Sequence, residues 1–219
     1  MPFTLHPLTS SDVPRCVDIY FSSFQNPHSI GCWPRVASVR EWWENMLYTE
    51  LDEPGAYWLK AVSTGTGSGN KSPSGEIAAF AKWVEPKPGV EPETDLPEWP
   101  EGADNALCDE TFGSWARRRR ILMGARGHWY LEIVATDPAY QGRGAGSQLM
   151  RWGLEKADTQ GVEAYLEASP EAVPLYKKLG FAEADKIDTF ISNERVNGMW
   201  YRNLFMIREP PRLDRGAGS

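Results

Sequence analysis

The run from Trp129 to Ala157 constrains this chain more than any other segment: an apolar stretch WYLEIVAT, a stop at Asp137 and Pro138, the turn QGRGAG, and then SQLMRWGLEKAD. Aromatic and β-branched side chains in the first stretch predict a short buried strand. In the last stretch Leu149, Met150, Gly153, Leu154 and Ala157 fall on one face of a helix. Between them Gly142, Gly144 and Gly146 let the main chain approach a ligand closely, with amides at the positive end of the helix dipole. A diphosphate suits such a turn. A dinucleotide fingerprint needs G-x-G-x-x-G, but counted from Gly142 the third glycine position holds Ser147.

A second informative segment is EASPEAVPLYKKLGF. Val162 to Ala168 predicts another strand, with Ser169 as N-cap, Pro170 as first helical residue and Gly180 as the helix stop. The two segments together resemble the GNAT N-acetyltransferase superfamily. Its Gln/Arg-x-x-Gly-x-Gly/Ala signature is met by Gln141, Gly144 and Gly146. Its tyrosine-bearing helix ending in Gly-Phe is met by LYKKLGF, with Ala172 and Tyr176 at the matching offsets. The chain is similar in particular to fungal-type members with a long insertion before the glycine turn. At one position it departs: Ser169 stands where many relatives carry asparagine, and capping alone accounts for a serine there.

The resemblance implies an α/β (α+β) fold, a mixed, mostly antiparallel sheet of six to seven strands flanked by helices and splayed at its central strands to admit a pantetheine arm. It implies acetyl-CoA as cofactor, held by Val134, Thr136, Gln141, Gly142, Arg143, Gly144, Ala145, Gly146, Ser147, Ser169 and Tyr176. An alkylammonium, with a pKa of about 10.4, must lose a proton before it attacks a thioester. Glu132 occupies the position from which several GNAT enzymes supply a base; the plain alternative is a structural salt bridge. Tyr176 is implied as the acid that protonates the departing thiolate, its alternative being simple packing. A main-chain amide, that of Val134, is expected to stabilise the charge developing on the thioester oxygen. Strand alternation places Tyr130, Glu132 and Val134 on one face, and Leu131 and Ile133 on the other.

Elsewhere the pattern predicts an edge strand near Phe3 to Leu5, a helix carrying Val13, Val17, Tyr20, Phe21 and Phe24, and a loop from Gln25 to Val36. A second helix is expected from Ser38, where Ser38 and Glu41 form a capping-box pattern. Phe24, His28 and Trp33, with Tyr130 and Glu132, are candidates for an acceptor pocket, although aromatic residues near helices are more often simply core. Tyr57 to Val62 and Ile77 to Val84 predict antiparallel strands joined by the flexible stretch STGTGSGNKSPSG. That stretch resembles a P-loop, but Asn70 stands where a glycine should precede Lys71 and Ser72. Glu85 to Glu110, acidic and rich in proline, predicts an irregular excursion. Arg117 to Arg120 suit a solvated helix face, an anion site or a nuclear address.

One domain over 1–219 is expected, with an insertion at 85–127, an acetyl-CoA-binding core at 128–181 and a flexible tail at 210–219. Cys16, Cys32 and Cys108 support neither a disulfide framework nor a metal site, and lie outside the matched motifs, which argues against an acyl-enzyme. No metal is expected. A formal net charge of -7 opposes nucleic-acid binding. No apolar run suits a bilayer and the N-terminus has no secretory pattern, so a cytoplasmic protein with no membrane partner is expected. Three functions stay open: acetylation of a small-molecule amine, acetylation of a lysine or N-terminus on a protein, and non-catalytic acyl-CoA binding. The oligomeric expectation is a monomer or a homodimer.

Overall fold

The computed structural model describes residues 2–65 and 75–211. Its first strand, β1 (Phe3–Pro7), leads through a short turn to α1 (Val13–Ser23), in which Pro14 takes an N-terminal position where no amide partner is lost. The expected loop from Gln25 to Val36 contains a further helix, α2 (Pro27–Cys32). Asn26 starts it by accepting from the Ser29 amide at 2.8 Å, with Pro27 as its first residue. The next helix, α3 (Ala37–Glu50), begins one residue earlier than expected. The Ser38 hydroxyl donates to the Glu101 carbonyl at 2.7 Å, so the capping box does not form.

Strands β2 (Ala56–Ser63) and β3 (Ile77–Val84) pair antiparallel as their patterns predict. The P-loop-like stretch between them and most of the C-terminal tail lie outside the described residues. After β3 the chain runs irregularly until Asp104, which accepts from the Leu107 amide at 3.1 Å and starts α4 (Asn105–Met123). The expected irregular stretch therefore ends before Glu110, because Leu107, Cys108 and Thr111 form a buried stripe that a helix can dock.

Next come β4 (His128–Thr136), α5 (Ala145–Gln160), β5 (Glu163–Ala168), α6 (Val173–Lys178), β6 (Ala182–Ile191) and β7 (Met199–Arg208). The seven strands form one sheet in the order β1-β2-β3-β4-β5-β7-β6. Among the described residues only β4 and β5 pair in parallel, joined by the α5 crossover; the other neighbours are antiparallel.

One sheet face is covered by α5, whose Leu149, Met150, Leu154 and Ala157 pack with Trp83, Trp129 and Leu131. Gly153 makes this approach possible: a Cβ there would lie 2.2 Å from the Trp83 ring. The Trp83 indole donates to the Leu149 carbonyl at 3.1 Å, so β3 is fastened to the same helix by a buried bond. Helices α1 to α4 contribute the core on the opposite face. No helix among the described residues is long and apolar enough to cross a membrane.

Candidate active site

The glycine turn lies between β4 and α5. Gly142 and Gly144 have φ of 71° and 93°, a left-handed conformation that L side chains rarely adopt. Gly144 is the N-cap, and α5 begins at Ala145, before the expected SQLM segment. Its first backbone bond runs from the Gln148 amide to the Gly144 carbonyl at 3.1 Å. The amides of Ala145, Gly146 and Ser147 therefore precede the first acceptor the helix offers, and they sit at its positive end. A Cβ on Gly146 would lie 2.9 Å from Thr136 Oγ1, so only glycine brings the turn this close to β4. The Gln141 side-chain Nε2 donates to the Thr136 carbonyl at 3.2 Å, and an Arg143 guanidinium nitrogen donates to the Ala139 carbonyl at 3.4 Å. The arrangement fits a diphosphate on main-chain donors, with Gln141 and Arg143 bracing the loop.

The sheet opens beside this turn. Pairing of β4 with β5 runs from His128 opposite Glu163 to Leu131 opposite Leu166 and goes no further. From Ile133 onward the described pairing of β4 is with β3 alone. The Asp137 amide donates to the Ala78 carbonyl at 2.9 Å, with Thr136 opposite Ala79 and Val134 opposite Ala81. Bonded and non-bonded pairs alternate in an antiparallel ladder, so the main-chain groups of Val134 and Thr136 turn away from β3 into the gap. An amide there can reach a thioester or pantetheine amide without breaking sheet pairing.

Alternation along β4 is not regular. Lys82 is opposite Ile133 and Trp83 is opposite Leu131, which makes Glu132 the extra residue of a β-bulge. As a result Val134 packs with Leu131 on the α5 side, whereas Ile133 packs with the helices opposite and Tyr130 with Tyr165 and Phe205. This corrects the expected grouping of Tyr130, Glu132 and Val134 on one face: the bulge exchanges the faces at Glu132.

Glu132 is partly exposed, and its carboxylate lies 3.0 Å from the Lys82 ammonium, which also meets Glu50 at 2.7 Å. The Lys82 side chain is 4% exposed. Burial alone would lower its pKa, but attraction to Glu132 and Glu50 outweighs burial and raises it. Burial raises the Glu50 carboxyl despite the same cation.

Tyr176 is buried on α6 beside Phe181, with ring centres 6.0 Å apart. Burial pushes its phenol well up, so it carries its proton throughout the neutral range. The helix holding it starts at Val173 with Ala172 as N-cap. Ser169 is thus not the N-cap expected; its carbonyl instead accepts from the Ala172 amide at 3.0 Å in the turn before α6. Gly180, at φ 91°, ends that element as expected.

Of the pocket candidates, Phe24 stacks on Tyr20, and Trp33 is buried among Trp42, Trp43, Trp99 and Phe112. His28 lies between Trp115 and Tyr201 with its ring 3.1 Å from the Thr111 hydroxyl. Burial lowers its pKa to about 4, so the imidazole is neutral. His28 and Trp33 are buried and Phe24 is partly buried against the same cluster, whereas Tyr130 and Glu132 flank the opening itself. The arginines of the Arg117–Arg120 run each find protein partners. Arg117 donates to Ser114, Arg118 pairs with Asp185 at 2.8 Å, Arg119 lies 3.6 Å over the Tyr130 ring, and Arg120 pairs with Glu91 at 2.7 Å. Among the described residues no cluster of three His, Cys, Asp or Glu side chains is suited to a metal, and the three cysteines are buried free thiols.

Lys82, Trp83 and Glu167 went unnoticed in the sequence. Lys82 reads as an ordinary strand lysine until the carboxylates of Glu50, Glu53 and Glu132 are seen around it. Trp83 and Gly153 fit each other only in three dimensions. Glu167, the first residue of β5 beyond the last β4–β5 pair, could have been flagged as an acid inside a strand whose other members are mostly apolar.

The profile of the Acetyltransferase (GNAT) family matches residues 13–181. The chain is similar to an uncharacterized N-acetyltransferase of Schizosaccharomyces pombe, 27% identical over 45% of this chain and 41% of that protein. It is 33% identical to the glucosamine 6-phosphate N-acetyltransferase of Trypanosoma brucei brucei over 28% of this chain and 43% of that one. The match thus spans less than half the length of each. Among solved structures, that of histone acetyltransferase HPA2 and related acetyltransferase from Corynebacterium glutamicum superposes with a TM-score of 0.63 at 23% identity, covering 98% of this chain and 99% of that one. NAA60 of Arabidopsis thaliana, solved with a bisubstrate analogue, superposes with a TM-score of 0.57 at 15% identity, covering 95% and 98%. A parallel pair that parts beside a glycine turn is thus embedded in a sheet shared with solved acetyltransferases, and with the profile match across most of its length the chain belongs to the GNAT acetyltransferase family.

Proposed function

We propose that this chain transfers the acetyl group of acetyl-CoA to a primary amine of a small molecule, by direct attack while both are bound. The observation that carries the reading is the meeting of two sets of main-chain groups: the α5 N-terminal amides after Gly144, and those of Val134 and Thr136 facing the gap. The first set would hold the diphosphate. The second would align the pantetheine arm, the Val134 amide receiving the charge that develops on the thioester oxygen.

A carboxylate at the opening takes the ammonium proton; the family resemblance points to Glu132 on β4, and Glu167 on β5 stands across the gap from it. Tyr176, protonated at neutral pH, gives its proton to the leaving sulfur. The α4 segment over the acceptor side of the sheet favours a small acceptor, as does similarity to a protein named for glucosamine 6-phosphate. Protein acetylation is the second reading, supported by the names of two superposing structures.

Thiol release from acetyl-CoA, followed with glucosamine 6-phosphate, spermidine, tyramine, and lysine and N-terminal peptides, tests the proposal. Turnover with a small amine supports it. A response to peptides alone assigns protein acetylation, and cofactor binding with no turnover assigns a binding module.

A further inference from the structure

We propose that Glu167, rather than Glu132, is the catalytic residue that accepts the ammonium proton, in an acceptor subsite enclosed between α4 and the β4–β5–β7 face of the sheet. The inference rests on the transferase reading above and specifies its acceptor half.

Four observations converge on it. Because β4–β5 pairing stops at Leu131 opposite Leu166, Glu132 and Glu167 are the two residues at the crotch of the opening. Alternation along β5 places Ala164, Leu166 and Ala168 in the core under α5 and turns Tyr165 and Glu167 to the opposite face. Glu132 already shares the buried Lys82 ammonium with Glu50, whereas no ion pair within 4 Å involves Glu167 among the described residues. Finally, four buried polar atoms of this layer have no hydrogen-bond partner: Trp115 Nε1 on α4, the Tyr165 hydroxyl on β5, Thr189 Oγ1 on β6 and Asn203 Oδ1 on β7. Unsatisfied buried groups are costly, and a bound polar acceptor would satisfy them.

The groups facing Glu167 are the Arg119 guanidinium from α4, Tyr130 from β4 and Tyr165 from its own strand; Glu132 acts on the same Tyr130 phenol, and β7 sets Phe205 opposite Glu167. Burial raises the Glu167 pKa to about 7, and Arg119 and the two phenols oppose that rise without cancelling it. The Tyr165 hydroxyl, near enough to bias this titration, still lacks hydrogen-bond geometry to any partner. A base poised near the working pH combines availability with driving force.

The step balances simply. The ammonium proton passes to the Glu167 carboxylate, and the freed nitrogen lone pair forms the C–N bond to the acetyl carbon. The C–S bond breaks, and the thiolate takes the proton of Tyr176, which is replenished by the second proton lost from nitrogen. Glu167 then releases its proton to water.

The test compares kcat/KM against pH for wild type, E167Q, E167D and E132Q, with acetyl-CoA and whichever amine of the panel is turned over. The expected result is a wild-type rise through about pH 7 that E167Q loses, with a fall of about 10²-fold or more, while E167D restores part of the rate and E132Q keeps the rise. Infrared titration without substrate should show a carboxyl band near pH 7 that is absent from E167Q and present in E132Q. Wild-type turnover with an unaltered profile in E167Q, or loss of the rise in E132Q alone, overturns the assignment and leaves the transferase reading standing. No turnover of any amine by wild type overturns both.

Discussion

Replacing Glu167 by glutamine should make the protein more stable, and by an amount that depends on pH. The folded structure holds this carboxyl at about 7 against an ordinary 4.5. Below pH 4.5 the group is protonated in both folded and unfolded chains, so the folded state bears no ionisation penalty. Between those values the unfolded chain ionises while the folded one retains its proton, and stability falls as pH rises through about 7. Above that the loss is complete. At about 1.4 kcal/mol for each tenfold in the ionisation constant, it amounts to about 3 kcal/mol. Since the side chain keeps partial solvent contact, this is an upper bound. Urea unfolding of wild type and E167Q at closely spaced pH values from 4 to 8.5 measures it directly. The advantage of E167Q should be small at pH 4, grow through the neutral range and level off near pH 8. A stability difference independent of pH would refute the claim that burial disfavours the Glu167 carboxylate, whatever the enzyme assay returned.

Other substitutions probe separate parts of the site. G144V forces a branched residue to φ 93°, at a cost of about 1–2 kcal/mol or more, and should abolish acetyl-CoA binding by calorimetry; normal affinity would remove the turn from the phosphate site. G153A drives a methyl into the Trp83 ring at 2.2 Å and should cost about 1–3 kcal/mol by overpacking, read as a lowered melting temperature. Y176F should lower kcat by about 10²-fold with the KM for acetyl-CoA little changed. Because burial keeps the Tyr176 phenol protonated, the wild-type rate should show no alkaline decline from it below pH 9.

Legibility in the sequence followed the range of the interactions. Gly142, Gly144 and Gly146 could be read because a left-handed turn at a helix start is a local demand on the backbone. The strands around Leu131 and Leu166 could be read from their β-rich composition, and the family resemblance supplied the opening between them. The bulge at Glu132 could not, since it depends on where β3 presents Lys82 and Trp83. Helix α2 was hidden because six residues are too few to display a period, although Asn26 and Pro27 carried its start signal. His28 and Trp33 were open to a core or a pocket reading until the rings of α3 and α4 were seen to enclose them. Ser169 before Pro170 suggested a cap, but tertiary packing delays α6 to Val173.

The bulge also explains why two carboxylates at one opening need not share one task. A regular strand would leave Val134 and Tyr130 on the same face; the extra residue instead returns Val134 to the α5 side, where a pantetheine arm would run, and leaves Tyr130 on the acceptor side. At the bulge itself Glu132 leans to Lys82, and through that ammonium β4 is tied to Glu50 of α3. The Lys82 side chain is 4% exposed and its ammonium also lies 3.9 Å from Glu53, so neutralising it would leave three carboxylates gathered with no cation between them, and Glu132 is engaged in holding that charge. Glu167, across the gap, has no ion pair of that kind among the described residues; its neighbours are the Arg119 guanidinium and the Tyr130 and Tyr165 phenols. Two titratable groups with environments this different divide electrostatic and proton-transfer roles between them, and here the ion-paired acid would hold the strand while the unpaired one meets the amine.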